Sequence, residues 1–306
     1  MANFTPTTNA EAIPTIIAQE TLKLFPGYLN LAKFVSKDTD WTGQDFATYG
    51  QTLNIVKPGT ITSQTKASGS NYTNQAATAD KLTVTLNQHK YISLLQEDIT
   101  EMLQKPDLQQ AYARNAAIVL AEEIETYLFG LHPNVTYTES FDATSATTIE
   151  TSFLGIRSRF ARNKIPQSMP KSAFLETSII DKLLTVEKYS RGDYIGNTEA
   201  VRTGAIRTIY GINIFESQVV PTSGSPVCYH NIACTPYGIV LVNRPMPLSG
   251  NGKGVRMVNF TEPMTGITFR LTEGYDLDAG GLVTRLETVY GASVADPKHI
   301  IEVEST

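Results

Sequence analysis

A long polar stretch between two strand-like segments most constrains how this chain can fold. Residues 53–55 (Leu-Asn-Ile) alternate between apolar and polar, and residues 82–86 (Leu-Thr-Val-Thr-Leu) alternate more cleanly. This period of two predicts paired strands. Residues 58–81 between them consist mainly of Gly, Thr, Ser, Asn, Gln and Ala, with Ile61 and Tyr72 as the large apolar residues. Because so polar a segment cannot anchor itself in a core, the pattern predicts a β-hairpin that projects from the body. A flexible surface insertion is the alternative.

The first 45 residues are predicted to form an arm. Prolines interrupt the segment, and its apolar residues are confined to short stretches around Ile16 and Ile17 and at 22–25, which ends in Phe25. Such a segment has too little apolar surface to fold alone. We expect it to lie either on the rest of its own chain or on a neighbouring copy.

The strongest helical pattern follows the second strand-like segment. Pro106 suits a first helical turn, and His132-Pro133 disfavours continuation beyond about Leu131. Apolar residues between them recur at spacings of three and four, which predicts one long amphipathic helix. Its apolar stripe consists of Ala113, Ala117, Leu120, Ile124, Tyr127, Leu128 and Leu131. The residues predicted to point away from the stripe are Arg114, Glu122 and Glu125.

The second half of the chain predicts an α/β unit followed by an antiparallel sheet. Helices are expected at about 149–163 and again after a cap formed by Thr177 or Ser178. Strands are expected at 172–175, 212–215, 227–234 and 238–242. From residue 267 the chain alternates again, as far as a last apolar run at 300–303. This final part is predicted to cover the stripe of the long helix, which gives an α+β fold.

Composition argues against several classes of function. The 306 residues carry a net charge of −5, so they offer no excess of Lys and Arg for a sequence-specific nucleic-acid site or a polybasic membrane contact. The N-terminus lacks the basic start and apolar core of a signal peptide, and no run approaches the roughly 18 apolar residues of a spanning helix. Two cysteines fit a reducing compartment. We expect a protein that is soluble and intracellular at synthesis and that contacts no membrane.

Two segments partly match motifs for phosphate or calcium. Residues 250–254 (Gly-Asn-Gly-Lys-Gly) lack the spacing of a phosphate-binding loop, so we expect a turn there. The segment from Asp276 to Glu287 approaches the pattern of a calcium loop, with Asp278 at an alternate position. Its flanks alternate like strands rather than helices, which favours a tight turn with Glu287 in the following strand.

A third segment offers soft metal ligands. Cys228, His230 and Cys234 lie within seven residues, but the other histidines are far away in sequence and a closed zinc site needs a fourth ligand. Buried strand cysteines are therefore favoured over zinc. No spacing in the chain proposes a catalytic set, so the sequence predicts no catalytic residue, no cofactor and no metal.

The order of the parts resembles the major capsid proteins of tailed double-stranded DNA phages, which have the Hong Kong 97-type fold. A hairpin leads toward the long helix through residues 91–98 (Tyr-Ile-Ser-Leu-Leu-Gln-Glu-Asp), and residues 173–177 (Ala-Phe-Leu-Glu-Thr) precede a helix. A glycine-rich loop feeds a strand at 204–217, and residues 289–297 (Val-Tyr-Gly-Ala-Ser-Val-Ala-Asp-Pro) are similar to the family's final strand entry. None of these is a catalytic motif, and their joint order carries the resemblance.

The resemblance implies five parts. They are an N-terminal arm (1–45), an extended β-hairpin loop (46–95), a peripheral domain with the long spine helix (96–149), an α/β axial domain (150–250) and the β region of the peripheral domain (251–306). It also implies subunits that assemble as pentamers and hexamers into an icosahedral head. Such a protein is not an enzyme; it is assembled in the host cytoplasm and resides in the virion.

The implied partners are other copies of the chain, a portal protein and packaged double-stranded DNA as a non-specific neighbour, with a decoration or cement protein in some relatives. Since only about 45 residues precede the loop, we expect a separate scaffolding protein rather than a fused scaffolding domain. The residues expected to contact neighbouring subunits are Ile16, Ile17, Phe25, Ile61, Lys66, Tyr72, Asp276 and Asp278.

Two other functions remain open from the sequence. An encapsulin-type nanocompartment shares the fold but encloses a cargo enzyme, and it would favour a folded N-terminal helix over a polar arm. A soluble α/β enzyme would need an active site that involves His230 or the pair Asp276 and Asp278.

Overall fold

The computed structural model describes residues 29–37, 52–59, 61–76, 79–97, 107–186, 208–249, 254–263 and 265–305. The predicted contacts of Ile16, Ile17 and Phe25 lie outside these residues, as does most of the predicted turn at 250–254. The described residues form an α+β fold with two mixed sheets and a separate two-stranded hairpin. None of the helices within these ranges combines the length and apolarity needed to cross a membrane.

The helices and strands follow one another along the chain with short connections. The α-helices are α1 Leu31–Phe34, α2 Asp107–Phe129, α3 Ala146–Arg162 and α4 Thr177–Thr185, with 3-10 turns at His132–Asn134 and Pro297–His299. The strands are β1 Ser36–Lys37, β2 Thr52–Pro58, β3 Ala79–Thr85, β4 Gln88–Glu97, β5 Thr138–Phe141, β6 Ser172–Glu176, β7 Thr208–Ile209, β8 Ile212–Ser217, β9 Thr222–Ser223, β10 Cys228–Cys234, β11 Ile239–Arg244, β12 Val255–Thr261, β13 Thr268–Asp276, β14 Gly281–Val294 and β15 Ile300–Ser305.

The first sheet is built around the long strand β14. Its strand order is β1-β11-β14-β13-β12, and β4 also pairs with β14 over ten residues from Gly281 to Tyr290. The sheet is antiparallel except for the short parallel pair of β1 and β11. Leu120, Ile124 and Leu128 of α2 share one core with Phe269 of this sheet. The prediction that an antiparallel sheet covers the long helix is therefore confirmed.

The second sheet has the order β5-β15-β10-β6-β8-β7, and β9 pairs with β10. The pairs β5/β15 and β6/β8 are parallel, whereas β10 is antiparallel to both of its long neighbours. Phe153 and Phe160 of α3 and Ile180 of α4 pack with Leu175 in a second core. The α/β character predicted for this part of the chain is confirmed.

The two sheets do not follow the sequence boundary expected near residue 250. Strand β11 lies inside the range 150–250 but belongs to the first sheet, and β15 lies inside 251–306 but pairs with β10 in the second. Successive residues of β15 face different cores, with Ile300 in the first and Ile301 in the second. An apolar run buried on both faces carries no period that assigns it to one sheet, which is why sequence alone placed it wrongly.

The ends of the second-sheet helices also differ in detail from expectation. Helix α3 begins at residue 146 because Ser145 forms a capping box with Thr148. Helix α4 begins where predicted, but its cap is Glu176, whose carboxylate accepts a hydrogen bond from the backbone N–H of Ser178. Strand β5 lies in a Thr- and Ser-rich stretch for which no strand was predicted.

Candidate functional site

The hairpin of β2 and β3 is attached to the body by one face of its base. Its residues alternate, so that Leu53 and Ile55 pair with Val84 and Leu82 on the inner face. Leu53, Ile55 and Val84 are buried and form a small third core with Val240 of β11. On the other face Val56 is 68% exposed. The predicted strand pair is confirmed, and its period of two gives the hairpin one buried and one free face.

The hairpin base approaches the first sheet backbone to backbone. A Cβ atom added to Gly291 of β14 would lie 2.1 Å from the carbonyl oxygen of Thr85. That distance is far inside van der Waals contact, so a glycine is required at this crossing. The hairpin is thereby fixed to the body at its root.

The tip of the hairpin is ordered by its own polar groups. Every residue from 61 to 76 is exposed. The side chain of Gln75 accepts a hydrogen bond from the N–H of Thr62 at 3.2 Å and donates one to the Thr62 carbonyl at 2.7 Å. A turn closes with the N–H of Ser70 on the carbonyl of Ala67 at 3.2 Å, next to Gly69 at φ +84°. The amide of Gln75 thus replaces one rung of a strand ladder and holds the two arms side by side.

The tip presents three of the residues predicted to contact neighbours. Ile61 is 80% exposed and Tyr72 is 79% exposed. The ammonium group of Lys66 lies 4.2 Å from the centroid of the Tyr72 ring, a cation–π contact that holds both side chains above the same stretch. Exposed large apolar side chains on a segment without a core of its own are typical of a surface that is buried against another molecule.

The other predicted contact residues lie at the turn between β13 and β14. A carboxylate oxygen of Asp276 accepts hydrogen bonds from the N–H groups of Asp278 at 3.0 Å and Ala279 at 3.3 Å. Gly280 follows at φ +59°, and Leu277 at the apex is 86% exposed. Glu287 lies in β14, buried and paired with Arg270 at 2.7 Å. The tight turn predicted here is confirmed, since Asp276 caps its own loop.

The described end of the arm lies on its own chain. Leu29, Leu31 and Ala32 are fully buried in the first core. Glu125 of α2 accepts hydrogen bonds from the N–H groups of Asn30 at 2.9 Å, Leu31 at 3.2 Å and Ala32 at 3.0 Å. Burial raises the pKa of Glu125, although these three bonds act in the opposite direction. The prediction that Glu125 points away from the core was wrong.

The structure separates the three soft ligands considered in the sequence. Cys234 is fully buried in the apolar first core, where burial raises the pKa of its thiol. Cys228 is partly exposed, and burial together with the carboxylates of Glu304 and Glu302 raises its thiol pKa. His230 lies between them on the same face of β10. The prediction of a buried strand cysteine holds for Cys234.

His230 has partners that sequence distance concealed. Its Nδ1 lies 2.7 Å from Oε1 of Glu302, and its Nε2 lies 2.6 Å from the hydroxyl of Ser223. His132, nearly a hundred residues earlier, stacks on His230 with ring centroids 4.1 Å apart and places its own Nδ1 2.9 Å from the same Glu302 oxygen. Ser223, His230 and Glu302 follow the hydrogen-bond order of a Ser–His–acid triad, although His132 shares the acid.

Comparison with known proteins gives matches in structure but not in sequence. No protein-family model and no curated protein matches the chain. A chain in a structure of mycobacterium phage Che8 matches with a TM-score of 0.66 at 16% identity, covering 91% of this chain and 90% of that one. A chain from the capsid of cyanophage P-SCSP1u matches at 0.64 and 13% identity, covering 85% and 84%. A chain from the mature capsid of bacteriophage PhiM1 matches at 0.59 and 15% identity, covering 84% and 82%.

The chain has the fold of phage capsid subunits. The resemblance inferred from the order of the parts is confirmed at the level of the fold. A chain of a virus-like particle from Pyrococcus furiosus also matches, at a lower TM-score of 0.51 and 10% identity, covering 94% of this chain and 97% of that one. The phage-capsid fold is therefore shared with that particle, and the phage structures superpose better.

Proposed function

We propose that the protein is the major capsid protein of a tailed double-stranded DNA phage. Its subunits would assemble as pentamers and hexamers into an icosahedral head, built in the host cytoplasm and retained in the virion. The observation that carries this proposal is the match to phage structures over nine tenths of both chains. The projecting hairpin adds to it, because that hairpin has no partner within its own chain at Ile61 or Tyr72.

In this proposal the hairpin tip lies across a neighbouring subunit. Burial of Ile61 or Tyr72 in a contact is worth about 1.5–3 kcal/mol each. The Lys66 ammonium above Tyr72 would supply a charge at the rim of that contact. Each contact is modest, but a closed shell repeats it at every subunit, so many weak contacts give a stable particle.

The turn of Asp276 and Asp278 is a second contact in the proposal. Leu277 between them is the most exposed of the large apolar residues in the described ranges, and two carboxylates flank it. An apolar apex with a negative rim suits a neighbouring surface that offers an apolar recess beside a basic group. Ile16, Ile17 and Phe25 of the arm remain proposed contacts of the same kind.

The division into an arm, an extended loop at 46–95, a spine-helix region at 96–149, an axial domain at 150–250 and a β region at 251–306 remains part of the proposal. It corresponds to the Hong Kong 97-type arrangement. The partners would be a separate scaffolding protein, a portal protein and, in some heads, a decoration protein. The net charge of −5 fits a shell wall that encloses DNA without binding it tightly.

Electron microscopy tests the proposal directly. The protein is expressed alone and then with a scaffolding protein encoded beside it, and both preparations are examined by negative stain and light scattering. We expect closed icosahedral shells or capsomer-like rings in at least one of them. A clean monomer or dimer under both conditions would refute the capsid function.

A shortened hairpin tests the part assigned to the tip. Val56 and Lys81 are register partners, so residues 57–80 can be replaced by Asn-Gly, the pair that suits a two-residue hairpin turn. This variant keeps Leu53, Ile55 and Val84 in the third core. We expect a cooperatively folding subunit that no longer forms shells. Normal shells from this variant would contradict the function proposed for the tip.

The two alternatives predict different results. An encapsulin-type shell would also form closed particles, but it would carry a cargo enzyme, which mass spectrometry of purified particles would reveal. A soluble enzyme would need His230 or the Asp276 and Asp278 pair, and a fluorophosphonate probe would label Ser223 if its triad order supported catalysis. We expect no labelling, and we expect His230→Ala to leave particle assembly unchanged.

A further inference from the structure

We propose that His132, His230 and Glu302 form a binding site for a late divalent transition-metal ion such as Zn²⁺. The three residues come from three separate elements: the 3-10 turn after α2, strand β10 and strand β15. Their candidate ligand atoms all lie within 4.8 Å of one another. Two imidazoles and one carboxylate are the protein ligands of many open zinc sites, in which a fourth position is left for water.

The two imidazoles already converge on one point. Both Nδ1 atoms approach the same Glu302 oxygen, at 2.9 Å from His132 and 2.7 Å from His230. Tetrahedral zinc with bonds of about 2.0–2.1 Å separates its ligand atoms by roughly 3.3 Å. The carboxylate must therefore withdraw by only about half an ångström to admit the ion between the three atoms.

The rings must also tilt. They lie nearly parallel, 20° apart with centroids 4.1 Å from each other, and a metal binds in the plane of each imidazole. The side chain of His132 is 20% exposed and lies on a three-residue turn, so it has room to rotate. His230 is held by β10 and is the fixed ligand.

Groups around the three ligands are placed to support a metal. The hydroxyl of Ser223 lies 2.6 Å from Nε2 of His230, so this hydroxyl can accept the Nε2–H proton when Nδ1 binds the ion. The hydroxyl of Thr138 donates to the second oxygen of Glu302 at 3.2 Å. Such outer partners orient metal ligands and typically change affinity by about 10–100-fold when removed.

The charge and accessibility of the cluster also suit a cation. The side chains of His230 and Glu302 are 10% and 9% exposed, which shields the ligands from competing water. Glu304 lies at the open edge with its carboxylate 4.0 Å from Nδ1 of His230 and 43% of its side chain exposed. It adds a second negative charge and is available as a fourth ligand. Imidazole nitrogens favour zinc, copper or nickel over calcium and magnesium, which prefer oxygen ligands.

This site differs from the zinc site considered in the sequence. Cys234 lies four residues from His230 along one strand, about 13 Å away at 3.3 Å per residue, so the two cannot share an ion. His132 takes the place that the cysteines were considered for. The proposed site lies within a single chain, so its test does not depend on whether the protein assembles.

Metal binding by the full-length protein tests the proposal. The protein is stripped with a chelator, dialysed against Zn²⁺ or Co²⁺ and measured by elemental mass spectrometry and by competition with a chromophoric chelator. We expect one ion per chain, with affinity lowered at least about 100-fold in His132→Ala and His230→Ala and about tenfold in Ser223→Ala. His89→Ala is the matched control, since His89 also pairs with a buried glutamate, Glu287, at 3.1 Å.

Two outcomes would overturn the proposal. Less than a tenth of an ion per wild-type chain would show a hydrogen-bonded cluster that holds no metal. Equal loss of binding in His89→Ala and His132→Ala would show adsorption to surface histidines. If His230→Ala fails to fold, the Co²⁺ absorption spectrum of the wild-type protein decides instead. Intense visible bands of a four-coordinate nitrogen and oxygen site support the proposal, and the weak spectrum of hydrated Co²⁺ contradicts it.

Discussion

Replacement of Glu125 by Ala should release the segment at residues 29–35 from the body. The carboxylate accepts three backbone N–H bonds from another part of the chain, at 2.9, 3.2 and 3.0 Å. The donors of Leu31 and Ala32 are buried, so they cannot turn to water when the acceptor is removed. A buried unsatisfied donor costs about 1–3 kcal/mol, so two of them cost roughly 2–6 kcal/mol.

Part of that loss is offset, because the variant no longer buries a carboxyl group whose pKa is raised by burial. We therefore expect a net loss of about 3 kcal/mol. Glu125→Gln should lose less, about 1 kcal/mol, since its amide oxygen can still accept from Asn30 and Ala32. The two variants differ in one acceptor atom, which isolates the hydrogen bonds from the packing of the side chain.

Denaturant unfolding measures the free energy, and hydrogen exchange of the amides at 30–32 locates the change. Glu122→Ala, on the exposed side of the same helix, is the control for lost helix propensity and charge. We expect fast exchange at these amides in Glu125→Ala alone. If Glu125→Ala matches Glu122→Ala in both measurements, then the three bonds contribute nothing and the reasoning is refuted.

Three further perturbations follow from the fold. Gly291→Ala should destabilise the subunit by about 2–3 kcal/mol, because its Cβ would lie 2.1 Å from the Thr85 carbonyl; an unchanged thermal midpoint would contradict that crossing. Gly155→Ala in α3 should stabilise by about 0.5–1 kcal/mol, since its Cβ meets only a Glu139 oxygen at 3.8 Å; a loss in the same melt would disprove it. Burial alone would raise the pKa of Glu287, but Arg270 and His89 lower it, so this group stabilises the fold above its unfolded pKa of about 4.3 and the gain is lost as pH falls through the lower folded value. Glu287→Gln should flatten this acid-side loss in unfolding curves between about pH 3 and 7, and parallel curves would refute it.

Sequence periodicity predicted the elements that have one clear face. The hairpin strands alternate strictly, and α2 carries an apolar stripe with residues such as Leu120 and Ile124 at helical spacing. Both patterns follow from side-chain direction along a strand or a helix, so they are visible without a structure. The polar tip was predictable for the complementary reason, since it lacks the apolar residues that a core requires.

Sequence could not predict contacts made by polar residues across long distances. Glu125 was assigned to the solvent side because a carboxylate is usually exposed, but it is buried by backbone donors 95 residues away. His132 and His230 were treated as unrelated for the same reason, although their rings stack. A buried polar group is stabilised by a specific partner, and its identity depends on the tertiary fold rather than on local spacing.

The placement of the hairpin explains why assembly and folding should be separable in this protein. The first core contains α2 and the antiparallel sheet, and the second contains α3 and α4, whereas the hairpin base packs in a third cluster with Val240 and Val242. Residues 61–76 belong to none of the three cores. A change confined to that tip removes no buried apolar area from the subunit, so its free energy of unfolding should stay within about 0.5 kcal/mol of wild type. Any large effect of such a change on particle formation must therefore arise between subunits.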